Sequence, residues 1–118
     1  MRRLPALLIV LALGTTAIAQ EPPAGLRQAR QLFAADRFED ARAALAPVLA
    51  AAPADAEANL LMGRIALMLG DLDAADVHLQ RAGQVPGRGR FLVPQTQGLV
   101  DLRRRDWVRA LEHFDAAL

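Results

Sequence analysis

Histidine is the residue type in this sequence with the clearest capacity for metal binding or acid–base chemistry, and its two copies are His78 and His113. Two imidazoles share one zinc ion only if each ring nitrogen lies ~2 Å from it. The apolar pattern around them places the two residues at equivalent points of two different helices, and packed helices lie ~8–10 Å apart. We therefore predict no metal and no cofactor, and we expect both imidazoles to be solvated or partly buried.

Other residues that could do chemistry have simpler structural explanations. The sequence has no cysteine, which excludes thiolate metal sites and cysteine nucleophiles. The paired acids Glu39-Asp40 and Asp71 with Asp73 stand where helices are expected to begin, a position that favours negative charge. The string "PGRGR" at residues 86–90 follows no strand, so we interpret it as a flexible connector rather than a phosphate-binding loop. We predict that the chain is not an enzyme.

The N-terminal residues have the composition of an export signal. Met1-Arg2-Arg3 is positively charged, Leu4 to Leu13 is an apolar run, and Ala17-Ile18-Ala19 has the small-x-small pattern that signal peptidase recognises. A membrane anchor is disfavoured because the apolar run is shorter than the ~20 residues that span a bilayer. We predict a signal peptide over residues 1–19, cleaved after Ala19, and hence a periplasmic protein.

Cleavage at this point changes the charge balance. It removes Arg2 and Arg3, so the 14 basic residues fall to 12 against 13 acidic ones, and the net charge changes from +1 to −1. Nucleic-acid binding depends on neutralising many phosphates with basic side chains. A nearly neutral mature chain therefore favours no nucleic-acid partner.

The rest of the chain repeats one helical pattern. Apolar residues recur at helical spacing, and residues 63–82 match residues 29–48 at an offset of 34. A third copy follows at an offset of 35, which places one inserted residue in the glycine-rich connector. The aligned copies have small residues at the expected helix crossings (Ala29, Gly63 and Gly98 on the first helix of each pair, and Ala41, Ala75 and Ala110 on the second).

The capping signals predict six helices. Asp55 is expected to cap the third, Gly70 to end it, and Pro94 to lie in the first turn of the fifth. Pro47 falls inside the second helix, where we expect a kink or a shortened last turn. The first three expected helices cover residues 24–35, 39–51 and 56–69. The fourth begins at Asp71 or Asp73 and ends at Gly83, the fifth runs from about Pro94 to Arg104, and the sixth runs from Asp106 or Trp107 to Leu118.

The pattern resembles the tetratricopeptide repeat, whose period is 34 residues. The middle copy carries the family's marks as Met62-Gly63, Gly70-Asp71, Ala75 and Leu79. The resemblance implies an all-α fold, a right-handed solenoid of about three helix-turn-helix repeats. It covers roughly residues 22–118 of a predicted domain over residues 20–118, with repeats at about 22–55, 56–89 and 91–118.

The resemblance also implies a ligand-binding groove along the first helices of the pairs. Together with the export signal, the resemblance predicts a non-enzymatic adaptor of the bacterial cell envelope. Two arginines between apolar residues of the groove suit a protein or peptide with acidic and apolar residues. In a second interpretation, which stays open, Arg30 and Arg64 only pair with nearby acids on a solvated face. The implied groove residues are Leu26, Arg30, Phe33, Leu60, Arg64, Leu67, Met68, Gln95, Leu99 and Arg103.

Other functions remain open from the sequence. One is a periplasmic module of an outer-membrane export or surface-lipoprotein assembly system, and another is a hydrolase that depends on His78 or His113. Leu111 and Leu118 at the last helix suit a homo-oligomer contact, another partner, or a longer chain. Residues 83–109 contain six arginines and two acids, which suits anionic lipid or an acidic partner. We favour a plainer explanation, in which Arg103 to Arg105 interact with the carbonyls at a helix end.

The first prediction concerns processing. If the signal peptide is cleaved after Ala19, the exported protein begins at Gln20. Intact-mass spectrometry of the protein recovered from the periplasm should give the mass of residues 20–118. A mass that retains residues 1–19 would contradict this prediction.

Overall fold

The computed structural model describes residues 23–87 and 89–118, and in these residues it contains six helices and no strand. The predicted all-α helical-repeat fold is therefore confirmed, and helix ends lie within about two residues of expectation. The prediction of a signal peptide falls outside the described residues. The helices are α1 (Ala24–Ala34), α2 (Phe38–Ala51), α3 (Ala56–Leu69), α4 (Leu72–Gly83), α5 (Leu92–Arg103) and α6 (Trp107–Ala117).

Aspartate side chains cap the N-termini of three of these helices. Asp55, Asp71 and Asp106 each accept a hydrogen bond from the backbone N–H three residues further on, at 3.3, 3.3 and 3.1 Å. Such a cap satisfies one of the N–H groups that a helix start leaves without an internal partner. The sequence expectation for Asp55 is confirmed, and of the two candidates at α4 the cap is Asp71.

The turn inside each helix pair has the same backbone conformation in all three copies. Gly70 ends α3 with φ of 82°, and the aligned residues Asp36 and Arg105 also have positive φ, at 60° and 62°. The left-handed conformation costs an L-residue about 1–2 kcal/mol compared with the usual helical region. The packing of each pair therefore imposes this bend even where the sequence has no glycine.

The shortened last turn that Pro47 suggests for α2 is not observed. The helix continues to Ala51, and the N–H of Ala52 still donates to the carbonyl oxygen of Val48 at 2.9 Å. Proline removes one backbone donor, and the carbonyl that loses it belongs to Ala43. Both Pro47 and Ala43 are exposed, so water can satisfy that carbonyl and the last turn persists.

The helices form three antiparallel pairs: hairpin one (α1 and α2), hairpin two (α3 and α4) and hairpin three (α5 and α6). They stack in chain order, with α3 packed on α2 and α5 packed on α4. Stacking gives each pair's apolar side a neighbour, which is the source of stability in repeat arrays. One apolar cluster joins hairpins one and two through Leu26, Ala41, Leu45 and Ile65, and another joins hairpins two and three through Ala66, Leu67, Ala75, Leu79 and Val100.

Small residues hold the helix crossings close, as the aligned copies predict. Ala29, Gly63 and Gly98 are all buried, and so are the three alanines that face them. A Cβ added at Gly63 would lie 2.8 Å from the Leu79 side chain, and one added at Gly98 would lie 2.5 Å from the Phe114 ring. Both distances are shorter than a van der Waals contact, so a larger residue would displace the Leu79 or Phe114 side chain.

Among the described residues, no helix is both long enough and apolar enough to span a membrane.

The second prediction tests the crossing in hairpin two. Gly63→Leu places four extra carbons where a single Cβ already meets Leu79, and overpacking of a core typically costs ~1–3 kcal/mol. The midpoint of thermal or urea unfolding should fall accordingly. The matched control is Ala46→Leu on the exposed side of α2, which should leave the midpoint nearly unchanged. A Gly63→Leu variant as stable as the parent would show that the crossing is not tight.

Candidate functional site

A concave pocket of about 430 Å³ opens where the hairpins meet. Its volume is within the range of sites that accept small ligands or a few peptide side chains. Four of the ten predicted groove residues line it: Arg30 and Phe33 from α1, and Leu60 and Arg64 from α3. The remaining lining residues are Ala56, Glu57, Leu61, Ala82, Gly89, Leu92 and Val93.

The two arginines at the pocket have different partners. The Arg30 guanidinium donates to a Glu57 carboxylate oxygen at 3.0 Å, and both side chains are partly exposed. The Arg64 guanidinium lies 4.8 Å from the centre of the Phe33 ring, a cation–π contact. Phe33 is held in turn by an edge-on contact with Phe38 at 5.4 Å. Arg30 therefore pairs with an acid, whereas the Arg64 side chain lies over the face of an aromatic ring.

Two predicted groove residues lie in the core instead. Leu26 is 1% exposed and packs in the cluster of hairpins one and two, while Leu67 is 6% exposed and packs in the cluster of hairpins two and three. The prediction that they line the groove is wrong, because each faces a neighbouring helix. The remaining predicted residues, Met68, Gln95, Leu99 and Arg103, are exposed but do not line this pocket.

The connector between hairpins two and three supplies a wall of the pocket that the sequence did not reveal. Gly89 has φ of 67°, and a Cβ there would lie 2.7 Å from a methyl group of Val93 and 3.8 Å from one of Leu60. The missing side chain lets the backbone approach both residues. A glycine in a connector is a signal for such an approach, but its partners depend on how the hairpins stack.

The comparison with known families agrees with this architecture. The family model described as tetratricopeptide repeat matches residues 32–85, from the end of α1 to just beyond α4. Residues 32–85 are therefore a tetratricopeptide repeat region. No curated protein and no solved structure matched it. Tetratricopeptide repeats generally mediate protein–protein interactions and typically have no enzymatic activity.

The two histidines each bind a buried polar residue of their own hairpin. The Asn59 amide nitrogen donates to the carbonyl oxygens of Pro53 and Asp55 at 2.8 and 2.9 Å. The Asn59 side-chain oxygen is therefore an acceptor, and it lies 2.9 Å from Nδ1 of His78. This arrangement requires His78 to carry its proton on Nδ1 when it is neutral.

His113 plays the corresponding part in hairpin three. Its Nδ1 lies 2.5 Å from a carboxylate oxygen of Asp101, which is almost fully buried. Each histidine thus ties the second helix of a pair to a polar residue on the first. Among the described residues, there is no group of three or more histidine, aspartate or glutamate side chains placed to hold a metal ion.

Arg104 links hairpins two and three. Its guanidinium donates to Asp76 and, at 2.6 Å, to Asp73, both on α4. The hydrogen bond to Asp76 is the main cause that raises the pKa of Arg104. The favoured expectation that Arg104 interacts with the carbonyls of its own helix end is therefore wrong, because the acids of α4 lie within reach.

The third prediction concerns pH. Burial lowers the pKa of His78, nearby Arg81 lowers it further, and Asp71 partly opposes them. In the unfolded chain the imidazole has its ordinary pKa of about 6.5 and takes up a proton more readily. Stability is therefore fully present above about pH 6.5 and falls as the pH drops toward the lower folded pKa.

Urea unfolding at about pH 7.5 and about pH 5.5 checks this. The parent should lose more stability on acidification than His78→Gln, which has no imidazole to protonate. His113→Gln is the matched control, because it retains His78 and should retain its contribution to the pH dependence. Equal losses in the parent and in His78→Gln would contradict the prediction.

Proposed function

We propose that this tetratricopeptide repeat protein is a non-enzymatic adaptor of the bacterial cell envelope that binds peptide segments in which an acidic residue lies next to an apolar one. The observation that carries the proposal is the pocket between the hairpins. It combines apolar walls with guanidinium groups. Its occupant would be a short segment of another envelope protein.

The apolar walls supply the affinity in this proposal. Phe33, Leu60 and Leu92 line the pocket without being fully buried, so they retain apolar surface that a ligand can cover. Complete burial of a leucine or phenylalanine side chain stabilises by about 1.5–3 kcal/mol. One or two apolar side chains in the pocket would give a weak, reversible complex, which suits an adaptor.

The arginines supply the selectivity. A guanidinium stacked on an aromatic ring keeps its N–H donors in the plane of the group, so Arg64 can hold Phe33 and still bind a carboxylate. Arg30 already binds Glu57, and a ligand carboxylate must compete for it. Arg64 is therefore the principal anion anchor, and Arg30 is a second one.

The envelope location is proposed from the sequence. The charged start, the apolar run and the small residues before Gln20 support export. A cysteine-free chain also folds without disulfide chemistry, so an oxidising compartment places no demand on it.

The fourth prediction tests the pocket with a phage-displayed library of random peptides. Selection on the immobilised protein should enrich peptides that carry aspartate or glutamate beside leucine, isoleucine or phenylalanine. Arg64→Gln should weaken binding of an enriched peptide by about tenfold or more, since a charge-assisted hydrogen bond contributes about 1.5–3 kcal/mol. Fluorescence anisotropy of the labelled peptide gives the dissociation constants.

The matched control is Arg27→Gln. It removes the same charge from α1 at an exposed position that does not line the pocket. The control should bind like the parent. Enrichment of peptides without acidic residues, or equal losses in Arg64→Gln and Arg27→Gln, would overturn the groove proposal.

A further inference from the structure

Hairpin three carries most of the exposed apolar surface of the described chain. Eight of the ten large hydrophobic residues that are exposed belong to residues 91–118, and only Met68 and Val77 lie elsewhere. Five of the eight cluster where α5 ends and α6 begins, over residues 99–111, a region we call the hairpin-three tip. They are Leu99, Leu102, Trp107, Val108 and Leu111, and the last three are 60%, 69% and 66% exposed.

The same tip carries exposed positive charge. Arg103, Arg105 and Arg109 are exposed, and none of them forms an ion pair within the described part of the chain. The two acids of the tip are engaged elsewhere: Asp101 is buried against His113, and Asp106 caps α6. The surface of the tip is therefore both cationic and apolar.

The other two hairpins differ at the equivalent positions. In hairpin two, Asp73 and Asp76 stand where hairpin three has Val108 and Leu111, and in hairpin one Glu39 stands at the first of these positions. In hairpin two these acids bind Arg104 of hairpin three, so the position is a contact site between hairpins. In hairpin three it carries exposed apolar side chains, which suit a partner that offers apolar surface.

We propose that the hairpin-three tip docks on an anionic lipid bilayer. Arginine side chains near a negatively charged membrane surface are attracted to it, and each one strengthens binding about fivefold. Tryptophan is the side chain that membrane interfaces prefer, because its ring is apolar and its N–H can meet the headgroups. Trp107, flanked by Val108 and by the arginines, fits that environment, with the apolar side chains entering below the phosphates.

Charge and polarity also argue against a second copy of the chain as the occupant. Two tips facing each other would bring together arginines of the same sign. The outer side of α1 offers no better match, because Gln28 and Gln31 occupy the positions at which Met62 and Ile65 are buried. An anionic surface would neutralise the positive charge of the tip, whereas a second copy of the chain would bring more positive charge to it.

The fifth prediction uses Trp107, the only tryptophan of the chain, as a local reporter. On mixing the purified protein with phosphatidylcholine vesicles that contain phosphatidylglycerol, its emission should shift to shorter wavelength. Lipids brominated in their acyl chains should quench it. Vesicles of phosphatidylcholine alone should produce neither effect.

Two variants separate the contributions of charge and apolar surface. Arg103→Gln with Arg105→Gln and Arg109→Gln should lower the partition coefficient on the order of a hundredfold, at about fivefold per arginine. Val108→Ser with Leu111→Ser should also lower it, while Trp107 remains as the reporter. Circular dichroism checks that both variants keep their helices.

The matched control removes three exposed arginines from hairpin one: Arg27→Gln, Arg37→Gln and Arg42→Gln. It has the same net charge as the tip variant and should partition like the parent. Because the variants are identical outside the substituted positions, the comparison isolates the tip. Arg64→Gln should also leave vesicle binding unchanged, so failure of the peptide groove and failure of the tip can be distinguished.

Several outcomes would overturn the proposal. One is the absence of an emission shift with phosphatidylglycerol vesicles. Another is an equal shift with neutral vesicles, and a third is equal loss in the tip and control variants. An emission shift that depends on protein concentration without vesicles, together with a dimer in sedimentation, would assign the tip to a second copy instead.

Discussion

The close approach of the two helices in each hairpin is the constraint on which the rest of the structure depends. A Cβ added at Gly63 would lie 2.8 Å from the Leu79 side chain, and one added at Gly98 would lie 2.5 Å from the Phe114 ring, so these side chains pack directly on the backbone of the first helix. This proximity buries Ala75 and Ala110 and lets the apolar stripe of each pair face the next pair. The stacked pairs then define where the pocket opens and which residues meet at its walls.

The two joints between hairpins are built differently. Hairpins one and two meet through an apolar cluster that includes Leu45 and Ile65. Hairpins two and three share the smaller cluster around Val100 and add the ion pairs of Arg104 with Asp73 and Asp76. Exposed ion pairs are weakened by salt, whereas apolar contacts are not. The third hairpin is thus attached partly by a contact that responds to ionic strength.

Much of the fold could be predicted from the sequence because it depends on local and periodic features. The offset of 34 identified the small residues at the crossings, and Asp55 and Gly70 marked the ends of α3. Side-chain partners were harder to predict. Glu57 reaches Arg30 across 27 residues and Arg104 reaches Asp76 across 28, and such pairs depend on the rotation between hairpins. A repeat period does not specify that rotation.

The candidate site shows the same limit at finer scale. The resemblance to tetratricopeptide repeats implied groove positions for Arg30, Phe33, Leu60 and Arg64, and all four line the pocket. It also assigned Leu26 and Leu67 to the groove, although they lie about one helical turn from pocket residues and face the neighbouring helix. Helical spacing predicts only roughly the direction in which a side chain leaves the helix. The contacts of the stacked hairpins decide between the open face and the core.

The left-handed bend shared by Asp36, Gly70 and Arg105 has a consequence for how such an array can diversify. Because tertiary packing fixes the backbone there, the left-handed conformation does not require a glycine at this position. An acid, a glycine and a base all occupy the same corner of three otherwise similar units. Each hairpin can therefore carry a different charge at the same point of its turn. The surface charge varies there from hairpin to hairpin, while the backbone conformation stays the same.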